Sequence, residues 1–273
     1  CLERIVGEEC SALESMVTEN SFRPSPAFWQ GRRVLVTGHT GFKGAWLGLW
    51  LSQLGAEVSG ISLPGPVSSP NLFDLAGLTE VLTDVRSDIR DSEALSQYVG
   101  DMEPSLVFHL AAQPLVRRGY REPEKTFSTN VQGTANILEA VRGLDCVAGV
   151  IVVTSDKCYL NNNQGRRFVE TDPLGGHDPY SASKAAAEMV AAGYRSVENM
   201  PPIYSVRAGN VIGGGDWGED RLIPDMVRAF SGKEEVVVRN PASCRPWQHV
   251  LDCLSGYIAV AETHLSEAAD RQV

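Results

Sequence analysis

The sequence predicts an α/β fold built on a doubly wound parallel sheet, and three observations carry that expectation. From Arg32 onward, short β-branched and apolar runs alternate with segments of helical character. Long connections join the runs, not hairpin turns, as parallel crossover units require. A glycine-spaced turn stands directly after the first run and opens a helix.

Arg33-Val34-Leu35-Val36-Thr37 is near-continuously apolar, the pattern of a strand buried on both faces. An apolar helix is predicted from Phe42 to Leu54, a second strand from Glu57 to Leu63 and a weak third from Val81 to Thr83. Asp91 or Ser92 caps a helix that runs to Val99. Ser105 to Leu110 is the fourth strand, Glu122 to Arg142 one long helix, and Gly149 to Thr154 the fifth strand. A helix from Tyr180 to Val197 and a sixth strand from Ile203 to Val206 complete the pattern, which contains no internal repeat.

Composition narrows the function. The 273 residues are 43% hydrophobic and carry a net charge of −10, so nothing draws the chain to nucleic acid or to an anionic membrane. Local arginines and helix ends can still hold a phosphate. The six cysteines form no CxxC pair and no metal spacing with histidine, so no metal site is expected. No secretory pattern is present, and the apolar stretch Ala45 to Leu51 is too short to span a bilayer, so a cytoplasmic location is the default. Residue 1 is Cys, which suggests a fragment or a processed product.

Thr37-Gly38-His39-Thr40-Gly41-Phe42-Lys43-Gly44 spaces its glycines as GxxGxxG. The first permits a tight turn, the second lets backbone approach a pyrophosphate, and the third lets the helix pack on the strand. The helix start offers N–H groups and partial positive charge to phosphates. Gly38, Thr40, Gly41, Phe42, Lys43 and Gly44 are therefore expected to hold a dinucleotide. Gly60-Ile61-Ser62-Leu63 ends the second strand with neither the usual acid nor an arginine, so this position does not separate NAD from NADP. Asp88-Ile89 either meets the adenine edge or caps the next helix.

Tyr180-Ser181-Ala182-Ser183-Lys184 places a phenol and an ammonium four apart on one helical face. A nearby cation favours phenolate and lowers the tyrosine pKa, which suits proton exchange during hydride transfer. Ser155, in Val153-Thr154-Ser155-Asp156-Lys157-Cys158-Tyr159, ends the fifth strand where ligands lie in such sheets. Glycine turn, strand-end serine and Tyr-x-x-x-Lys, in that order from Gly31 to Arg207, resemble the short-chain dehydrogenase/reductase family. The resemblance implies a Rossmann-type NAD-binding fold with Tyr180, Lys184 and Ser155 as catalytic residues.

Further stretches are similar to the extended, nucleotide-sugar branch. His109-Leu110-Ala111-Ala112-Gln113 resembles its fourth-strand end, which implies that Leu110, Ala111, Ala112 and Gln113 line the nicotinamide ribose. Asn130 matches its long-helix motif and also reads as an interior amide bonded to a loop. Asp156 beside Ser155 resembles the 4,6-dehydratases, whereas epimerases of the branch usually lack it. Asp172 to Tyr180, Arg207 to Trp217, Arg239-Asn240-Pro241 and Arg245 to Val250 are similar to the CDP-glucose dehydratases of that branch. The last segments hold the nucleotide diphosphate in the family, so Asn210, Arg221, Arg245 and Trp247 are implied substrate ligands.

The resemblance implies an NAD-dependent hydro-lyase. Tyr180 takes the sugar 4-hydroxyl proton while NAD takes the C4 hydride, Asp156 protonates the departing C6 hydroxyl, and the hydride returns to C6. Lys157 stands where many dehydratases carry glutamate. It is either the base for the C5 proton, if neutral, or an electrostatic stabiliser of the enolate. Competing readings are a nucleotide-sugar epimerase or reductase and a non-catalytic nucleotide-binding fragment. The expected organisation is an extension over 1–27, an NAD-binding domain over 28–207, and a partial sugar-nucleotide-binding part over 208–273, short of the family's usual C-terminus. The implied partners are CDP-glucose and a second copy, in a homodimer that pairs the Glu122–Arg142 and Tyr180–Val197 helices.

Overall fold

The computed structural model describes residues 22–65, 68–162, 165–239 and 241–270, the last five as backbone alone. Most of the extension expected over 1–27, and Asn240, lie outside the described residues. Helix α1 (Pro26–Trp29) leads into β1 (Arg33–Thr37), α2 (Phe42–Gln53) and β2 (Glu57–Ser62). The short α3 (Leu72–Leu75) precedes β3 (Thr83–Arg86), and α4 (Ser92–Met102) leads to β4 (Leu106–His109). Six strands form the main sheet in the order β3-β2-β1-β4-β5-β6, with β5 at Gly149–Val153 and β6 at Ile203–Val206. Every pairing in it is parallel, as the long connections predicted. Strand order reverses between β1 and β4, and their carboxyl ends open the crevice where such sheets bind ligands.

Alternation along the strands feeds two cores. Val34, Val36, Leu106, Phe108, Ile151 and Val153 enter one, while Leu35, Val107, Val150 and Val152 enter the other. Both faces are covered, so the strands read as unbroken apolar runs. On the first face the sheet meets α2 and the final helix, and on the second it meets α4 and the helices that follow β4 and β5.

Two local expectations are corrected. The third strand starts at Thr83 and not Val81, because pairing with β2 begins at Ser59 opposite Thr83. Val81 instead closes a 3-10 turn, Leu78–Glu80, and is exposed. The long helix predicted from Glu122 is preceded by a separate α5 (Val116–Arg121) and is itself interrupted. It runs as α6 (Pro123–Phe127), a π turn (Ser128–Gln132) and α7 (Gly133–Val141). Of the capping candidates, Asp91 does the work, accepting from the Ala94 N–H at 3.1 Å, so Asp88 is not the cap.

Helix α8 (Pro179–Tyr194) carries the Tyr-x-x-x-Lys segment. A small parallel pair, β7 (Asn210–Ile212) and β8 (Trp247–His249), flanks α9 (Leu222–Gly232). Helix α10 (Val250–Asp270) lies within 208–273, and its Leu254, Tyr257 and Ile258 belong to the first core of the sheet. Among the described residues no helix is long and apolar enough to cross a membrane.

Candidate active site

The site begins where β1 ends. Gly38 turns the chain at φ +75°, and a Cβ there would lie 2.8 Å from the Ala111 backbone nitrogen. A Cβ on Gly44 would lie 2.1 Å from the Gly38 carbonyl oxygen, so α2 is pressed onto the turn. Gly41 caps α2 without a side chain, leaving the first-turn N–H groups around Phe42 and Lys43 without a side-chain acceptor. Thr40 Oγ1 is buried with no hydrogen-bond partner among the described residues. A backbone cradle at a helix start, beside an orphaned hydroxyl, fits the pyrophosphate and ribose of NAD.

The loop after β4 is pinned by polar contacts. Gln113 donates its N–H to Asn130 Oδ1 at 2.7 Å, and Asn130 Nδ2 donates to the Gln113 carbonyl at 3.1 Å and Ser183 Oγ at 2.8 Å. Asn130 is thus an interior amide bonded to a loop, and the π turn is what aims it there. Ala111 N–H donates to Thr37 Oγ1, which also meets His109 Nδ1 at 2.8 Å. Burial drives the His109 pKa to about 3, so its ring is a neutral brace. Leu110, Ala111 and Ala112 leave β4 between these two anchors.

At the end of β5 the chain makes a short turn, Asp156–Cys158. Ser155 Oγ takes the Lys157 N–H at 3.2 Å and donates to Asp156 Oδ1 at 3.0 Å. Lys157 Nζ donates to Asp156 Oδ1 and to Asn210 Oδ1, each at 3.4 Å. Tyr180 is buried, with Ser155 close enough to act on its hydroxyl. Lys184 donates to the Val153 carbonyl at 3.2 Å. The five residues singled out for catalysis therefore meet at one sheet edge.

The expected depression of the Tyr180 pKa is corrected. Burial raises it, and the Ser155 hydroxyl and the Arg221 charge pull it only part of the way back. The Lys184 ammonium is engaged at Val153. Its own pKa falls to about 8, through burial first and then the charge of Lys43. Lys43 is half-buried beside α10, donating to the Tyr257 hydroxyl at 3.1 Å, and desolvation lowers its pKa too.

Of the residues expected to hold substrate, Asn210 and Trp247 are direct partners across β7 and β8. Arg221 starts α9 and pairs with Asp216 at 2.9 Å. Arg245 is exposed and donates to the Cys244 carbonyl, and no contact among the described residues brings it to the cluster. Asp88 is clasped by Arg90, whose Nη2 lies 2.6 Å from Oδ2, and Ile89 is buried against Gly133. No group of three or more metal-ligating side chains occurs among the described residues.

Two features escaped the sequence reading. The Arg207 guanidinium forks onto Glu188 at 2.8 and 3.1 Å, and the same carboxylate accepts the Thr154 hydroxyl. Glu188 stands four residues after Lys184, a spacing that placed it on the same helical face. His39 is wholly buried and occupies the space left by Gly60, where a Cβ would come within 2.1 Å of the ring.

Comparison with known proteins adds to this geometry. The GDP-mannose 4,6 dehydratase family matches residues 35–270. The CDP-glucose 4,6-dehydratase of Salmonella typhimurium is 50% identical over 250 residues, covering 89% of this chain and 69% of that protein. A dTDP-glucose 4,6-dehydratase of Xanthomonas campestris pv. campestris is 30% identical, covering 80% of this chain and 64% of its own. A double mutant of DesIV, a dTDP-glucose 4,6-dehydratase from Streptomyces venezuelae solved with NAD, superposes with a TM-score of 0.74 at 27% identity, covering 84% of this chain and 71% of that one. The Bacillus anthracis dTDP-glucose 4,6-dehydratase in complex with NAD gives 0.71 at 26% identity, covering 82% and 70%.

Proposed function

The chain belongs to the GDP-mannose 4,6 dehydratase family, and from that premise we propose that it is an NAD-dependent CDP-glucose 4,6-dehydratase. It is a hydro-lyase that converts CDP-glucose to CDP-4-dehydro-6-deoxyglucose and water. The observation that carries this reading is Asp156, hydrogen-bonded to Ser155 beside Tyr180. Epimerisation or simple reduction has no use for a carboxylate at that place, whereas elimination of water needs a proton donor.

NAD held in the glycine cradle would supply the acceptor for the C4 hydride and the donor of the same hydride at C6. Tyr180 removes the proton of the 4-hydroxyl, with Ser155 and the Arg221 charge easing formation of its phenolate. Lys184 holds positive charge beneath that step. Asp156 delivers a proton to the C6 hydroxyl as water leaves. Lys157 Nζ lies 3.4 Å from Asp156 Oδ1, and with the proton of that pair on Asp156 the neutral Lys157 amine takes the C5 proton as Asp156 protonates the departing C6 hydroxyl; Lys157 returns the proton to C5 when the hydride reaches C6. Asn210, Arg221 and Trp247 hold the nucleotide diphosphate on the outer side, with Arg245 as a further phosphate ligand. Gly38, Thr40, Gly41, Phe42, Lys43 and Gly44 hold the cofactor phosphates and ribose, and residues 110–113 with Asn130 hold its nicotinamide end. Asp88 and Ile89 border the adenine.

The same proposal includes a homodimer. Phe127 on α6 and Met189 on α8 are 40% and 67% exposed, an apolar outlay that a second copy would cover. The test of function is incubation with CDP-glucose and, in parallel, UDP-, dTDP- and GDP-hexoses. Alkali-induced absorbance of the 4-keto-6-deoxy sugar and net NADH are followed. Keto-sugar from CDP-glucose without net NADH is expected. Keto-sugar from another nucleotide alone would refute the cytidine assignment, and lasting NADH would refute the internal cycle.

A further inference from the structure

Ser62 ends β2, where dinucleotide-binding sheets ordinarily place an acid against the adenosine ribose. A buried polar chain surrounds it. Ser62 Oγ lies 3.0 Å from His39 Nδ1 and takes the Thr40 N–H at 3.3 Å. His39 Nε2 lies 2.8 Å from Asp84 Oδ1, and Arg86 clasps Asp84 through Nε and Nη2 at 3.0 and 2.8 Å. A carboxylate only accepts, so Nε2 carries the imidazole proton and Nδ1 of the neutral ring takes the Ser62 O–H. Burial lowers the His39 pKa, in keeping with that neutral ring.

The hydroxyl hydrogen of Ser62 is therefore used inside the protein, and the charge of Arg86 is used on Asp84. Thr40 is seated through its N–H, yet its own hydroxyl is buried without a partner among the described residues. Thr40 lines a cavity of about 220 Å³ together with Gly65, Asn71, Phe73, Asp74 and Arg86. Whole-ligand pockets run from about 300 to 1,000 Å³, so this space suits one fragment of a ligand. It lies at the end of β2 and β3, next to the glycine turn.

We propose that the Thr40 hydroxyl, seated by the Ser62–His39–Asp84–Arg86 chain, receives the 2′-hydroxyl of the adenosine ribose in place of the missing acid. The inference rests on the dinucleotide reading of the glycine turn. It also bears on the choice between NAD and NADP that the end of β2 left open in the sequence. Arg86, in the cavity wall, already shares its charge with Asp84, and Asp74 stands beside it, so a 2′-phosphate would meet a carboxylate and a cation that is already paired.

Calorimetric titration tests it, using NAD, its 2′-deoxyadenosine analogue and NADP against the wild type, Thr40→Val and Thr40→Ser. Valine keeps the shape and removes the hydroxyl, and serine keeps the hydroxyl. The wild type should bind the deoxy analogue about five- to tenfold more weakly than NAD, the loss of one hydrogen bond. Thr40→Val should bind NAD and the analogue alike, at the strength the wild type shows for the analogue. Thr40→Ser should restore the difference, and NADP should bind more weakly than NAD throughout. A Thr40→Val protein that still separates the two dinucleotides by the wild-type ratio overturns the proposal, since structural damage would weaken both together. A wild type that binds NAD and the analogue equally overturns it while leaving the dinucleotide reading intact. A wild type that binds no dinucleotide overturns both.

Discussion

Replacing Arg207 with methionine removes one half of a buried ion pair that holds the end of β5. Arg207 binds Glu188 with two nitrogens at 2.8 and 3.1 Å, and the Glu188 side chain is 3% exposed. The same carboxylate accepts from Thr154, which immediately precedes Ser155, and the Thr154 N–H donates to the Val206 carbonyl at 2.8 Å. Methionine fills much of the arginine stem and leaves the carboxylate with hydroxyl partners only. Removing one member of a buried pair costs about 3–5 kcal/mol. For a chain of this size that lowers the melting temperature by roughly 10 °C. The sign of the pH dependence follows from Glu188. In the wild type burial works to raise its pKa, but the Arg207 and Thr154 hydrogen bonds win and hold it below the ordinary value. The pair's stabilisation is therefore present above the ordinary carboxylate pKa and is lost as pH falls through the lowered one. In the variant burial acts without the cation, the pKa rises, and the deficit grows with pH above about 4. Urea unfolding of both proteins at about pH 5 and about pH 8 measures this directly, with the larger deficit expected at the higher pH. A deficit under about 1 kcal/mol, or one equal at the two pH values, would refute the reasoning.

Tyr180→Phe should cut keto-sugar formation by about 10²- to 10⁴-fold, the usual worth of a positioned acid–base group, and a smaller loss in steady-state assays would remove Tyr180 from the proton transfer. Lys184 holds its proton only up to about 8 in the folded chain, below the ordinary value of 10.5. Its buried charge costs stability below the folded pKa, and the cost recedes as pH climbs from there to the unfolded value. Wild-type stability should thus carry a rising component over that window that Lys184→Met lacks, and identical urea profiles across it would contradict the assignment. Met189→Asp places a charge in the proposed dimer face, and light scattering should show a monomer. An unchanged dimer mass would move the interface elsewhere.

Several elements were legible because their signals are local. The unbroken apolar run of β1, the glycine turn and the Asp91 cap each depend on residues a few positions apart. Tyr180, Lys184 and Ser155 were readable for the same reason, since one helix face and one strand end carry them. The start of β3 was misplaced because Val81 has as good a strand propensity as Val85, and only pairing with Ser59 onward decides between them. The π turn at Ser128–Gln132 was hidden because its residues suit an ordinary helix equally well. Bonds from Asn130 to the Gln113 peptide, far along the chain, select the wider turn.

The sequence by itself determined the layer architecture, the glycine turn and which side chains stand at the ends of β5 and α8, because periodicity and short motifs encode them within single elements. Only the tertiary structure decided how those groups are charged and held. Tyr180 is raised by burial and not lowered by its neighbour in sequence, His39 occupies room left by Gly60 on another strand, and Glu188 meets Arg207 across a strand junction. Desolvation and long-range pairing depend on what the folded chain brings alongside each group, and no spacing along the sequence records that.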